Sequence, residues 1–214
     1  MNSFGDKPPG KRAPGKRDAQ KEETRARILA VARAHFERDG FEAANIRAIA
    51  AEAGVAAGTV LLHYADKRDL MHATLFDELS LTIEQALALP AKGPLEERLC
   101  AIARTFFAYY EARPKLRRAL LREALLAESP WKERFVAQVS RVHMHLATLA
   151  GEAKARGELA ADVDPVMLGA SFFAFYYFAL IGWVQGALGE PAPLFERMLA
   201  EHLRGLTTTN RKGQ

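Results

Sequence analysis

Apolar residues recur along this chain at three- and four-residue spacing, the period of one helical face, and no stretch alternates as a half-buried strand would. The first segment places Ile28, Leu29, Ala32 and Phe36 on one side and ends at Gly40. A short second segment packs through Ile46, Ile49 and Ala50, with Asn45 as its N-cap, and stops at Gly54. The third runs from near Ala57 to Tyr64. Asp66 caps a fourth, with Asp69 at the capping-box position, and its apolar face reads Leu70, Leu75, Leu79, Ile83. Past the Lys92-Gly93-Pro94 break a fifth carries Leu95, Leu99, Ile102, Phe106 and Tyr110. Pro114 opens a sixth; a seventh holds Phe135, Val139, Val142, Leu146 and Leu149 and closes at Gly157. Asp164-Pro165 starts an eighth, and Pro191 and Pro193 precede a last helix with Leu194, Phe195, Met198, Leu199 and Leu203. The pattern predicts an all-α chain of about nine helices, three short ones followed by a larger bundle.

Composition agrees with a packed core. Hydrophobic residues make up 49% of the 214 residues and charged residues 26%, which excludes wholesale disorder. The single cysteine, Cys100, cannot form an internal disulfide, and residues 1–20 lack the apolar run of a signal peptide, so a reducing cytoplasm is expected. The net charge of +4 is too small to name a partner, but its placement matters. Lys7, Lys11, Arg12, Lys16, Arg17 and Lys21 crowd a Pro- and Gly-rich start that reads as a flexible basic arm, either a solubility tail or a phosphate-binding arm. The expected division is arm 1–20, a cluster of short helices 21–66, a larger helical bundle 67–208 and a disordered tail 209–214.

The most informative stretch is Ile46 to Tyr64, where two short helices join through Ala53-Gly54-Val55. Gly54 supplies a left-handed turn and Val55 can plug inward, so the second helix stands clear and can enter a DNA major groove. The spacing alone also suits a plain packing unit. The residues say more: ILAVARAHFERDGF, IRAIAAEAGV and GTVLLHY followed by DKRDLM, within Thr24 to Met71, closely resemble the DNA-binding region of TetR-family transcriptional regulators. The resemblance covers nearly a quarter of the chain; the remaining helices fit the family by number and length.

That resemblance implies a regulator, most often a repressor, that binds a pseudo-palindromic double-stranded operator as a homodimer and leaves it when a small molecule fills the C-terminal bundle. It implies DNA contacts by Thr59, with Gly58 permitting close backbone approach, by Lys67 at the fourth helix's start, and by His63, Arg25 and Arg47. The chain departs from the family at Ala56, which cannot cap, at Ala57, where a polar or basic residue is usual, and at Leu61, where a Tyr is common. Leu61 offers only apolar contact, for instance to a thymine methyl. These departures motivate a rival reading, a helical hydrophobe-binding protein whose helix-turn-helix is vestigial.

Between Asp164 and Glu190 no residue is charged, a length that could span a bilayer. The acidic flanks, Ser171 and Gln185 argue instead for a helix covered by its own bundle and a second subunit. The expected dimer residues are Phe173, Tyr177, Leu180, Gly182, Gly186 and Leu199, with no membrane partner. Phe106, Phe107, Tyr110, Met144, Phe172, Phe175 and Tyr176 are aromatic or flexible apolar residues on helices that lie side by side in such a bundle. Helical spacing favours core for most of them; an effector cavity anchored by Glu123 or His143 is the alternative. His143 and His145 project from different faces and Cys100 has no activating His nearby, so neither catalysis, a metal nor a cofactor is expected.

Overall fold

A computed structural model of the chain describes residues 15–90, 92–114, 117, 118, 121, 128 and 130–207. Among them are eight α-helices and no strand: α1 (Lys16–Ala43), α2 (Ile46–Glu52), α3 (Ala57–His63), α4 (Lys67–Leu87), α5 (Leu95–Glu111), α6 (Trp131–Ala155), α7 (Pro165–Val184) and α8 (Pro191–Arg204). The sixth segment expected from Pro114 falls mostly on residues outside this set, as do Glu123, most of the basic arm and the tail 209–214. The last part of the arm is a correction. Lys16 to Gln20 are helical, because the Asp18 carboxylate accepts a hydrogen bond from Gly15 N (3.3 Å) and caps a polar extension that needs no burial.

Helix α1 breaks near its end at Gly40, whose φ of 80° and ψ of 169° lie where only glycine is unstrained. The bend folds Phe41 back against Phe36, with ring centroids 6.1 Å apart. Caps follow the sequence: Asn45 Oδ1 accepts from Arg47 N (2.8 Å), Asp66 Oδ1 from Asp69 N (2.8 Å) and Asp164 Oδ1 from Val166 N (2.8 Å).

The N-terminal helices close over Ile28, Ala32, Phe36, Ile49, Val60, Leu70 and Met71, all essentially inaccessible. Helix α4 leaves this cluster and packs on α5 and α6, so its own Leu70 to Leu75 and its Ile83 to Ala86 belong to two different surroundings. The bundle continues with α6 against α7, α7 against α8, and α8 back onto α5. Its centre is a stack of rings: Phe107 lies 4.9 Å from Tyr176, and Phe172 and Phe195 meet edge-on at 5.0 Å. Helix α7 is long and apolar enough to cross a membrane, yet Leu168, Phe172, Tyr176, Ala179 and Leu180 are buried within the bundle.

All five tyrosines are held above their ordinary pKa, first of all by burial; Tyr64 is pushed up to about 12, and Tyr109, Tyr110, Tyr176 and Tyr177 rise as well. A raised folded-state value means that the unfolded chain releases these protons first, at about pH 10. Their contribution to stability is therefore complete below that pH and is lost as pH climbs toward the folded values. An alkaline titration that follows tyrosinate absorbance and helical circular dichroism together is expected to show both changing in one step above pH 10. A tyrosine that ionises normally while the helices persist would contradict the burial.

Candidate nucleic-acid interface and ligand cavity

The turn between α2 and α3 has the chemistry its sequence suggested. Gly54 adopts φ 66°, its N–H donates to Ala51 O (3.2 Å), and Val55 N donates to Ala50 O (3.0 Å). The chain turns through 104° between the two helices, within the range of helix-turn-helix units. Val60 is completely buried and Tyr64 nearly so, which anchors one side of α3. The other side faces out: Gly58 is exposed, Leu61 is 50% exposed and Leu62 86%. Leu62 escaped the sequence reading because a leucine at the end of a short apolar run looks like core.

The cationic candidates differ in how they are employed. Arg47 is exposed at the start of α2. Arg25 is paired with Glu22 (3.1 Å) and Asp77 (3.6 Å), which neutralises it and ties α1 to α4. Lys67 Nζ donates to Glu42 O (3.0 Å) and lies 4.6 Å from the centre of the Phe41 ring, so it fastens the segment after Gly40 to the start of α4. Thr59 and Ala57 are half-buried at the first turn of α3, and His63 is half-buried at its end beside Tyr64. As expected, Ala56 provides no side-chain cap.

The link between α3 and α4 is also bonded to the bundle. Asp69 accepts from Ala65 N (2.8 Å) and from the indole Nε1 of Trp131 (2.7 Å), the first residue of α6. Only Tyr64 separates α3 from Ala65, so this carboxylate joins the exit of α3 to the start of α6. Nothing in the sequence pairs Asp69 with Trp131, since they are 62 positions apart.

A cavity of about 380 Å³ opens between α4, α5, α6 and α7. Its apolar wall includes Leu79 and Ile83 of α4, Phe106 of α5, Val139 and Val142 of α6 and Phe173 of α7. Polar groups are few: Lys132, Gln138 and Ser140 on α6, and the Tyr110, Tyr176 and Tyr177 hydroxyls. Gln138 Nε2 also donates to Ser80 Oγ (2.7 Å).

Of the cavity residues expected from sequence, Phe106, Tyr110 and Tyr176 lie on it. Phe107 and Phe172 do not, being packed solidly behind it, because helical periodicity cannot separate a cavity wall from the layer beneath. Met144 is 65% exposed on the far side of α6, His143 stacks on Phe173 at the α6–α7 contact, and Phe175 packs against His202 of α8. Among the expected dimer residues, Leu180 and Leu199 are buried in the chain's own core and Gly182 is covered by Leu188, whose Cδ1 would sit 2.2 Å from an added Cβ. Phe173 and Tyr177 line the cavity, and Gly186 is exposed in the turn after α7. The outward strip of α7 instead reads Val166, Ala170, Ala174 and Phe178 at four-residue intervals, with Phe178 57% exposed.

Residues 28–74 match the family model described as bacterial regulatory proteins, tetR family. No curated protein sequence matches the chain. Solved structures of similar fold include a TetR transcription regulator from Haloarcula marismortui, 19% identical with a TM-score of 0.69, over 86% of this chain and 98% of that one. Another is the transcriptional regulator FadR of Bacillus subtilis in complex with stearoyl-CoA, 19% identical with a TM-score of 0.65, over 85% and 99% of the two chains. A third is Thermus thermophilus FadR, a repressor in complex with lauroyl-CoA, 22% identical with a TM-score of 0.65, over 85% and 94%. The tetR model thus covers the very residues that form α2, the turn and α3, and the similar solved structures share the all-helical fold, so the N-terminal helices of this chain are a helix-turn-helix unit of the tetR type.

Proposed function

We propose that the chain is a repressor whose homodimer binds a pseudo-palindromic operator and leaves it when a hydrophobic effector enters the cavity. One observation carries this reading: Leu79 and Ile83, on the cavity wall, stand on the same helix that begins at Lys67 beside the recognition helix. A ligand wedged against them acts on α4, and α4 sets where α3 stands. The effect is limited to the difference in ligand affinity between the two placements of α3. The long apolar cavity, with Lys132 among its few polar residues, suits an acyl chain bearing an anionic end, and the two FadR structures hold acyl-CoA. The outward strip of α7 supplies the dimer contact, its two alanines allowing close approach of a second copy.

Binding of the purified chain to operator fragments recovered by genomic footprinting tests this directly. Lauroyl-CoA or dodecanol is expected to release the DNA, and Val139→Trp, which fills the cavity wall, raises the ligand concentration needed by about tenfold or more. Phe178→Glu is expected to give a folded monomer that binds the operator roughly a hundredfold more weakly, because the second recognition helix is lost. Operator binding indifferent to every apolar ligand, or a wild-type monomer at micromolar concentration, would overturn the proposal. Weak retention on DNA that salt does not alter would favour the rival hydrophobe-binding reading.

At the DNA we propose that Thr59, Gly58 and Ala57 approach the backbone and base edges at the start of α3, that Arg47, Lys67, Arg25 and His63 face phosphates, and that Leu61 meets a thymine methyl. Replacing that thymine by uracil removes one methyl and is expected to lower affinity about fourfold. In Leu61→Ala the two operators bind alike. A uracil operator bound by the wild type as tightly as the thymine one excludes the apolar contact.

A further inference from the structure

A second cavity, of about 430 Å³, lies on α4, α5 and α6 one to two turns beyond the first. The same three helices line both: α4 passes from Ile83 to Ala86 and Leu87, α5 from Phe106 to Ile102 and Arg98, and α6 from Val142 to His145 and Leu149. Its chemistry is different. Lys92, Arg98, Arg104 and His145 converge on it from the α4–α5 loop, α5 and α6, and Glu97 is the one carboxylate among its lining residues. Glu97 is turned toward the loop backbone, since a Cβ at Gly93 would meet its Oε2 at 2.8 Å.

Arg98 sets this cavity apart. Its side chain is 5% exposed, and its two terminal nitrogens share a single oxygen, Glu152 Oε2, at 3.2 and 3.3 Å. A buried guanidinium has five N–H donors to satisfy, and one shared oxygen on a half-exposed carboxylate is a sparse complement. Arg104 is held by Glu196 (2.6 Å) from α8, outside the cavity, while Lys92 is exposed on the loop. Beside Arg98, His145 is kept below its usual pKa, chiefly by burial and then by that guanidinium, with Glu152 opposing. Apolar walls of Leu87, Ile102 and Leu149 keep the local dielectric low and strengthen any charge contact made there.

We propose that this chamber is a second binding site and that it takes a phosphate-bearing anion, with Arg98 and Lys92 as the principal donors. The anion has two possible sources: a free small phosphate compound, or the head of the molecule whose tail fills the first cavity. Along α5 the two chambers are close enough for one ligand, since Arg98 and Tyr110 are about 18 Å apart at the helical rise. The proposal goes beyond the functional reading above and does not need the chain to release DNA.

Titration calorimetry on the purified full chain with pyrophosphate, dodecyl phosphate and dodecanol tests the site and separates the sources. Pyrophosphate is expected to bind, and Lys92→Gln, a change on an exposed loop, to weaken it about tenfold. Arg98→Gln is expected to weaken it further, with its melting temperature measured alongside, because loss of the Glu152 pair destabilises the fold. The imidazole resonance of His145, assigned with His145→Gln, is expected to titrate at higher pH with pyrophosphate bound, a change that a purely structural role for Arg98 would not produce. Dodecyl phosphate that binds tighter than dodecanol and displaces pyrophosphate makes the anion the head of one ligand. Pyrophosphate that leaves both amphiphiles unaffected makes it a separate compound. No pyrophosphate binding, or binding indifferent to Lys92→Gln and silent at His145, overturns the proposal. Release of DNA by dodecanol in that last case would leave the functional reading standing; pyrophosphate binding without any ligand-driven release would do the reverse.

Discussion

Helix α4 has to satisfy two cores with one rigid rod, and the rest of the molecule is arranged around that demand. Its first half buries Leu70, Met71 and Leu75 among α1, α2 and α3, and its second half buries Ile83 and Ala86 against α5 and α6. Between the halves sits Glu78, only 10% exposed, ion-paired with Arg33 of α1 (2.8 Å), with Arg113 beyond α5 (3.3 Å) and with the buried Arg117 (3.2 Å). Arg113 also reaches Glu37 of α1, and Arg117 lies 3.7 Å from the centre of the Tyr109 ring. A carboxylate holding three guanidiniums in a partly dry place is far more demanding than a surface pair, since removing it strands the buried cation at a cost of about 3–5 kcal/mol. This cluster, with the Asp69–Trp131 bond, makes the angle between the two parts of the chain a property of α4.

Against that background the departures of α3 from the tetR pattern acquire a physical sense. With no side-chain cap at Ala56 and no tyrosine at Leu61, α3 depends on burial of Val60 and Tyr64 for its position, and it presents leucines outward. Apolar contact supplies shape and methyl recognition but little charge. Charge is left to the flanking cations, and two of these, Arg25 and Lys67, already have intramolecular partners. Their internal bonds hold α1, and the segment after Gly40, against α4, so the same side chains that carry the charge also position the short helices.

The local chemistry of this fold was legible from the chain. Breaks at Gly40 and Gly54, caps at Asn45, Asp66 and Asp164, and apolar periodicity located every described helix, because those signals act within a few residues. What escaped was decided at long range. Periodicity marks Phe106 and Phe107 alike, although one faces a cavity and the other a ring stack, and it cannot tell that Leu180 turns inward while Phe178 turns out. The Asp69–Trp131 and Glu78 contacts join residues dozens of positions apart, and a solitary Arg98 on an amphipathic helix reads as a solvated charge until Glu152 and the adjacent chamber are seen. The arm was misjudged at Lys16 to Gln20 because Pro and Gly just upstream concealed a capped helix start.

Native-state hydrogen exchange along α4 tests the central claim most directly. If the helix is one element shared by both cores, amides from Leu70 to Ala86 open together with a single free energy, and a ligand in the cavity slows exchange in both halves equally. Independent opening of residues 70–75 and 79–86, or ligand protection confined to the cavity half, would contradict the account.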